Sequence, residues 1–399
     1  MSIDDFKEFQ AQTTPHPIGM EVDRAEGVFI WDKNGKRYYD LVSGLAVTNI
    51  GHCHPRILKA IREQSEKYMH VMPYGEFVQE PQTLLAKKLN ALLPAGLDCS
   101  YFVNSGTEAN EGALKLAKRY TGRSEILSFK GSYHGSSHGS LSVTGNEKKK
   151  YAFRPLLPDV RFLEFNNIQD LEQISLNTAC VIIEPIQGDA GVRIPSREFM
   201  LALREKCTAS GAILIFDEIQ TGFGRTGTMF AFEQFNVQPD ILTIAKAFGG
   251  GMPIGAFISS KEIMASLMSR PMLGHITTFG GHPVNCAAAH ANIEVIEEER
   301  IIESVEAKGA LIEELIQHES IVEIRRVGLM FAIEFPDEQW VEKLFYKNLE
   351  MGSITFWFLS CRNSLRLAPL TIPEEQITEF CQSFNKCMEM VTNEMTISS

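Results

Sequence analysis

The chain is 399 residues long, 44% apolar and 22% charged, with 38 Lys and Arg against 50 Asp and Glu and a formal net charge of −12. Those proportions belong to an ordinary globular protein with room for a sizeable core, in roughly two or three packed units. The negative balance works against nucleic acid and anionic membranes as partners, since bulk electrostatics repel both.

The opening segment, MSIDDFKEFQ, is acidic and polar where a secretory signal would be basic and then apolar. No run of about 18 apolar residues follows, so no membrane-spanning helix is expected. GVFIWDKNGKRYYDL reads as a β-hairpin around Asn34-Gly35, a pair that tolerates a type I′ turn. In GHCHP, His52 and His54 flank Cys53, but no second ligand pair stands at useful spacing. A turn with buried or capping histidines is the expectation, and no metal site. Helices are expected to start at Pro55 and Pro81, each proline in a first-turn position.

From about residue 100 the rhythm becomes strand, loop, helix. CSYFVN is a short strand, and SGTEANEGALKLAKRY a helix whose Ser105 and Glu108 are spaced as a capping box. EILSF, ACVIIEP, AILIFDE and DILTIAK are nearly continuous apolar runs, as in strands buried on both faces. SREFMLALREKCTASG supplies a crossover helix. The alternation predicts an α/β unit with a mostly parallel sheet flanked by helices. After about residue 285 come long helices, then antiparallel strands in IVEIRRVGLMFAIEF and a closing helix near Pro373, a smaller α+β lobe that the N-terminal hairpin would join. The division expected is 1–50 (part of the small domain), 51–284 (large domain) and 285–399 (small domain). Eight scattered cysteines without a CxxC pair suit a reducing cytoplasm, each as a small buried hydrophobe.

Ligands of open parallel sheets sit beyond the carboxyl ends of the strands. The polar residues at which these apolar runs stop are Asn104-Ser105, Glu184, Asp217-Glu218 and Lys246, so they are expected to converge on one crevice. SGTEAN offers a helix N-terminus fit for a phosphate, or only a well-capped helix. FKGSYHGSSHGS sets Tyr133 and His134 between glycines, where a ring can lie on a bound heterocycle; the plain alternative is a surface loop. A desolvated Lys246 would be a nucleophilic amine suited to Schiff-base chemistry, against the ordinary reading of a lysine snorkelling to solvent. The glycines that follow it favour close approach of backbone or cofactor. GFGRTG, residues 222 to 227, matches a dinucleotide fingerprint with Asp240 at ribose-contact distance, which keeps an NAD-dependent oxidoreductase as an alternative. Four residues separate its first glycine from the strand's last residue, and no clear helix start follows.

In order along the chain, NSGTEAN, GSYHG, IEPIQGDAGV, FDEIQTGFGRTG, TIAKAFGGGMPIGA, HITTFGGHPVNCAA and LRLAP together resemble the class III (ω-amino acid) aminotransferases, pyridoxal 5′-phosphate enzymes of fold type I. GLAVTNIGHCHP resembles their acetylornithine and ornithine branch. The resemblance runs from about Gly27 to the last helix and implies a ping-pong transaminase that moves an amino group from an ornithine-like or acetylornithine-like ω-amino acid to a 2-oxo acid, 2-oxoglutarate by default. It implies Lys246 as the covalent anchor and proton shuttle, and Asp217 as partner of the pyridinium nitrogen. Ser105, Gly106 and Thr107 would hold the phosphate, Tyr133 would stack on the ring beside His134, Ile219 would cover the other face, and Gln220 would approach the phenolic oxygen. Thr278 would reach the partner subunit's cofactor, which implies a homodimer with shared sites. Arg366 would bind a substrate carboxylate, near Asp189, Glu184, Leu45, Tyr74 and Ser136.

Two departures from the family's pattern bear on substrate. His134-Gly135-Ser136 stands where the related enzymes read HGR, which removes an expected carboxylate-binding arginine. Asp189 stands where they carry a longer glutamate. An aminomutase or decarboxylase of the same fold is the alternative these departures keep open.

Overall fold

A computed structural model describes residues 3–73, 75–369 and 371–398. Its centre is a seven-stranded sheet in the spatial order Cys99–Val103, Gly255–Ser259, Ile241–Ile244, Ile213–Asp217, Thr178–Ile183, Glu125–Phe129 and Val160–Leu163. Gly255–Ser259 runs antiparallel to both neighbours and the other pairs are parallel. The sheet is thus mixed, and one strand in PIGAFISS and another at Val160 add to those expected.

The continuous apolar runs follow from two-sided burial. Ile126, Cys180, Ile182, Ile213 and Ile215 pack on Ala109, Ala113 and Leu116 of the helix Gly106–Thr121. The alternating residues Leu127, Val181, Ile183, Leu214 and Phe216 share the opposite core with Phe199 and Leu203 of the crossover helix Arg197–Ser210. Each such side chain contributes roughly 1.5–3 kcal/mol by leaving water. Pro283–Glu298 lies on this second face, packed against Pro55–Lys67 and Glu80–Leu92.

A separate core gathers Phe331, Ile333, Phe345, Leu365, Phe380 and Phe384 from the C-terminal strands and helices. The N-terminal hairpin is tied in by Ser353–Ile354, which pairs in parallel with Arg37–Asp40. That hairpin does form, pairing Phe29–Asp32 with Arg37–Asp40. Its turn differs from the expected type I′: Gly35 alone of the pair has positive φ (80°). Asp32 holds it instead, its Oδ1 accepting from Asn34 N and Lys36 N, both at 2.9 Å. Of the cysteines, Cys180, Cys207, Cys286, Cys381 and Cys387 are buried, whereas Cys53 is exposed and Cys99 and Cys361 are partly so.

Because a single strand is reversed, the C-terminal ends of the parallel strands and the link from Ile244 to Gly255 share one edge of the sheet. That edge carries the site.

Candidate active site

Asp217 is the last residue of its strand, buried, and fixed by three donors. Its Oδ1 accepts from Ile219 N at 3.0 Å, and its Oδ2 accepts from Asn110 Nδ2 and His134 Nδ1, both at 2.8 Å. Asn110 Nδ2 also donates to the His134 carbonyl at 2.7 Å, and its Oδ1 accepts from Thr243 Oγ1 at 2.8 Å. Such a network fixes both the position and the orientation of a buried charge. Sequence reasoning missed Asn110 and Thr243. Asn110 follows Gly106 by four residues and therefore shares its helix face, which was the available signal.

Ser105 caps the helix Gly106–Thr121, its Oγ accepting from Glu108 N at 3.3 Å. The reciprocal half of the capping box is displaced by one residue, since Glu108 Oε2 accepts from Asn104 N at 2.7 Å. A Cβ on Gly106 would lie 2.7 Å from Ile219 Cδ1, so only glycine lets Ile219 cover this helix start. Helix N-terminal N–H groups lack intrahelical acceptors and favour an anion. Thr107 Oγ1 meets the hydroxyls of Ser137 and Ser140 at 2.7 and 2.6 Å, and Glu111 Oε1 accepts from Gly139 N and Ser140 N.

Lys246 stands two residues beyond its strand, which ends at Ile244, and opens the tight turn Lys246–Gly249 with a left-handed φ of 48°. That conformation costs a non-glycine residue on the order of 1 kcal/mol, a strain typical of residues held for function. Burial depresses its ammonium below the ordinary lysine range; the Asp217 charge opposes this and the Arg366 charge reinforces it. The following glycines divide their work. Gly251 lines the cavity, whereas a Cβ on Gly250 would lie 3.1 Å from Asn292 Cβ, whose Nδ2 braces the carbonyls of Ala247 and Phe248.

These elements enclose a cavity of about 490 Å³ lined by Ser105, Gly106, Thr107, Tyr133, His134, Ser136, Glu184, Asp217, Ile219, Gln220 and Lys246. Glu184 accepts from the N–H groups of Tyr133 and Gly188, and burial pushes its carboxyl up to about 7. Glu218, expected to converge with them, turns away and accepts from Ala231 N and Phe232 N.

At the edge of the site lie Arg366 and Asp189. The Arg366 guanidinium stands 4.4 Å from the Phe358 ring, with Nη2 3.5 Å from Asp189 Oδ1, and its buried Nε has no hydrogen-bond partner among the described residues. Burial alone would raise the Asp189 carboxyl, but Lys149, the Ser360 hydroxyl and Arg366 outweigh it and hold it below the ordinary range. Lys149 Nζ is 2.7 Å from Asp189 Oδ2, and Ser360 Oγ donates to the same atom at 2.8 Å. Neither Lys149 nor Ser360 was foreseen.

Leu45 stands outside this wall, 45% exposed, and Val47 lines the cavity instead. It belongs to a left-handed turn, with φ of 48°, 58°, 65° and 64° at Ser43, Gly44, Leu45 and Ala46. Asp40 accepts from Val42 N and Gly44 N, and Ser43 Oγ donates to the Ala368 carbonyl at 2.7 Å. Thr278 is exposed and does not line the cavity; it sits on the loop before Pro283–Glu298, next to Thr277, which accepts from the lining residue Asn104. Tyr74 lies outside the described residues.

The dinucleotide reading of GFGRTG fails on structure. A short 3-10 turn, Ala231–Phe235, follows it in place of a helix. Arg225 is buried against Asn49 and the Ala368 carbonyl, and Asp240 is spent on Arg204 and Leu214 N. His54 caps the helix at Pro55 by accepting from Arg56 N, and His52 pairs with Asp40 at 2.7 Å.

Comparison with known proteins agrees with this geometry. The model of the family "Aminotransferase class-III" matches residues 9–388. The chain is 40% identical to the acetylornithine aminotransferase of Archaeoglobus fulgidus over 374 residues, 93% of this chain and 94% of that protein. It is 41% identical over 321 residues to the [LysW]-aminoadipate semialdehyde/glutamate semialdehyde transaminase of Sulfolobus acidocaldarius, covering 79% and 82% of the two. The crystal structure of a transaminase from the marine bacterium Virgibacillus superposes with a TM-score of 0.93 at 30% identity, over 98% of each chain. The chain therefore belongs to the class III aminotransferases, enzymes of the pyridoxal 5′-phosphate fold type I.

Proposed function

We propose that this transaminase takes an ornithine-like or acetylornithine-like ω-amino acid as donor and a 2-oxo acid, 2-oxoglutarate foremost, as acceptor. One observation carries the assignment of residues: a carboxylate fixed by three donors, a helix start and a lysine of depressed basicity line one cavity. That set fits a phosphorylated pyridine bearing an aldehyde. Asp217 would hold the ring N–H, the N-terminus at Gly106 and Thr107 the phosphate, and Tyr133 and Ile219 the two ring faces. When bound, the cofactor supplies an electrophilic carbon for the amine and an electron sink for the Cα–H bond pair.

Lys246 Nζ, its basicity lowered by burial, would take the Cα proton and pass it to the carbon of the cofactor's former aldehyde. Arg366, whose buried Nε has no hydrogen-bond partner among the described residues, supports binding of a substrate carboxylate in a two-pronged contact. The acetylornithine name of the Archaeoglobus relative supports the donor class.

The homodimer is part of the same reading. Met72, Phe77, Val78, Leu273, Ile276 and Phe279 are exposed, and His70 and Phe279 bring their two segments together at 5.2 Å, beside Thr278. An apolar face of that kind suits a second copy of the chain. Among the described residues no helix is long and apolar enough to cross a membrane, and unpaired thiols support a cytoplasmic setting. We divide the chain into a large cofactor-binding part and a smaller part from both termini. The boundary is better set after Pro283–Glu298, which packs on the large sheet.

Half-reaction spectra test this directly. The purified protein should carry a visible cofactor band, bleached by ornithine or acetylornithine with release of a carbonyl product, and Lys246→Ala should lack the band. Bleaching without a free oxo product would instead favour an aminomutase or decarboxylase.

A further inference from the structure

Asp189 stands between two cations, 2.7 Å from Lys149 Nζ and 3.5 Å from Arg366 Nη2. One negative charge facing two positive ones leaves this edge with a cation to spare. The nearby Glu184 offsets this only in part, since burial pushes its carboxyl up to about 7.

Lys149 is placed where that surplus matters. Its Nζ lies 4.6 Å from the centre of the Tyr133 ring, and the Tyr133 hydroxyl is 3.1 Å from Ser136 Oγ. Tyr133 and Ser136 both line the cavity, whose only lining cation among the described residues is Lys246. The neighbouring Lys150 is used otherwise, with Nζ 4.0 Å from the Phe162 ring and 3.5 Å from Glu147. Of this run of lysines, Lys149 is the one aimed at the site.

We propose that Lys149 determines specificity by receiving the second carboxylate of a dicarboxylic substrate, while Arg366 receives the first. Asp189 is its counter-ion in the absence of substrate. When the ammonium turns to the substrate, Asp189 keeps the Ser360 hydroxyl at 2.8 Å and the Leu359 N–H at 3.2 Å, so no bare charge is left behind. A lysine suits this exchange because its flexible stem carries a compact charge between two acceptors. The proposal rests on the transaminase reading of Lys246 and Arg366.

The test uses holoenzyme loaded with pyridoxal 5′-phosphate, and follows bleaching of the visible band by glutamate, with two carboxylates, and by alanine, with one. Lys149→Met should lower the second-order rate for glutamate about 10- to 100-fold and leave that for alanine within about threefold. Lys149→Arg should retain glutamate use, and Ser136→Arg added to Lys149→Met should restore much of it. Glutarate, which cannot react, should lose affinity for Lys149→Met by a similar factor, a readout independent of turnover. Equal losses for both amino acids, or unchanged glutarate affinity, would overturn the proposal. So would a wild type that responds to alanine but not to glutamate. A wild type bleached by no amine would refute the broader transaminase reading instead.

Discussion

Asn110 is the most exposed test of how the floor of the site is built. Asn110→Ala removes a hydrogen bond to the Asp217 carboxylate, another to the His134 carbonyl, and the acceptor of the Thr243 hydroxyl. A bond to a charged group is worth about 1.5–3 kcal/mol and a neutral one about 1 kcal/mol. The sum is about 3–5 kcal/mol, with no solvent to replace the lost partners, since Asn110 is fully buried. Part of this should appear as lower stability of the apoprotein in urea. The rest should appear in catalysis, because among the described residues Asp217 Oδ2 then keeps His134 as its only side-chain donor. We expect transamination to fall about 10- to 100-fold at a temperature where the variant is folded, with cofactor retained. Asn110→Asp should be worse, setting two carboxylates against each other. Full activity per folded molecule in Asn110→Ala would refute the idea that this network orients Asp217, leaving it a purely structural contact.

Burial raises Glu184 from 4.5 to about 7, so between these values the unfolded chain is ionised while the folded one keeps its proton. Stability contributed by this group therefore falls as pH rises across that window, by about 3 kcal/mol, and levels off above it. Glu218, likewise raised to about 7, has the same sign. Urea titrations of the apoprotein from pH 5 to 8 should show this slope, about halved in Glu184→Gln; an unchanged slope would remove Glu184 from the account. For the dimer, Phe279→Asp and Val78→Asp should each give monomers in sedimentation and lose activity, since a charge would be buried in an apolar contact. A stable dimer in both variants would place the interface elsewhere.

Much of the site was legible because strand ends are legible. An apolar run that stops at Asp217 or Glu184 announces both the strand and the side of the sheet on which its last residue stands. Lys246 was harder to place, since the run through Ile244 and Ala245 hides the tight turn that begins at the lysine. Glu218 is a strand-end residue that faces the other way. Adjacent residues of a chain leaving a strand point in opposite directions, and the sequence does not say which faces the ligand. Asn110 and Thr243 are not legible in the sequence because their partners lie 107 and 133 positions away. Lys149 sits in a run of three lysines, where composition cannot choose the one that turns inward. The reversed strand Gly255–Ser259 was hidden for a related reason: an apolar run carries no direction.

The left-handed turn at Ser43–Ala46 also bears on how this protein could be improved. Three of its four residues are not glycine, and each gives up roughly 1 kcal/mol that glycine would mostly recover, less the added freedom of the unfolded chain. The natural sequence has thus left a gain in stability untaken, at a segment joined through Ala368 to the strand that carries Arg366. A blind screen for thermal tolerance should find glycine at Leu45 or Ala46 early. Whether those winners still discriminate among amines would show if the rigidity of that corner is what the strain maintains.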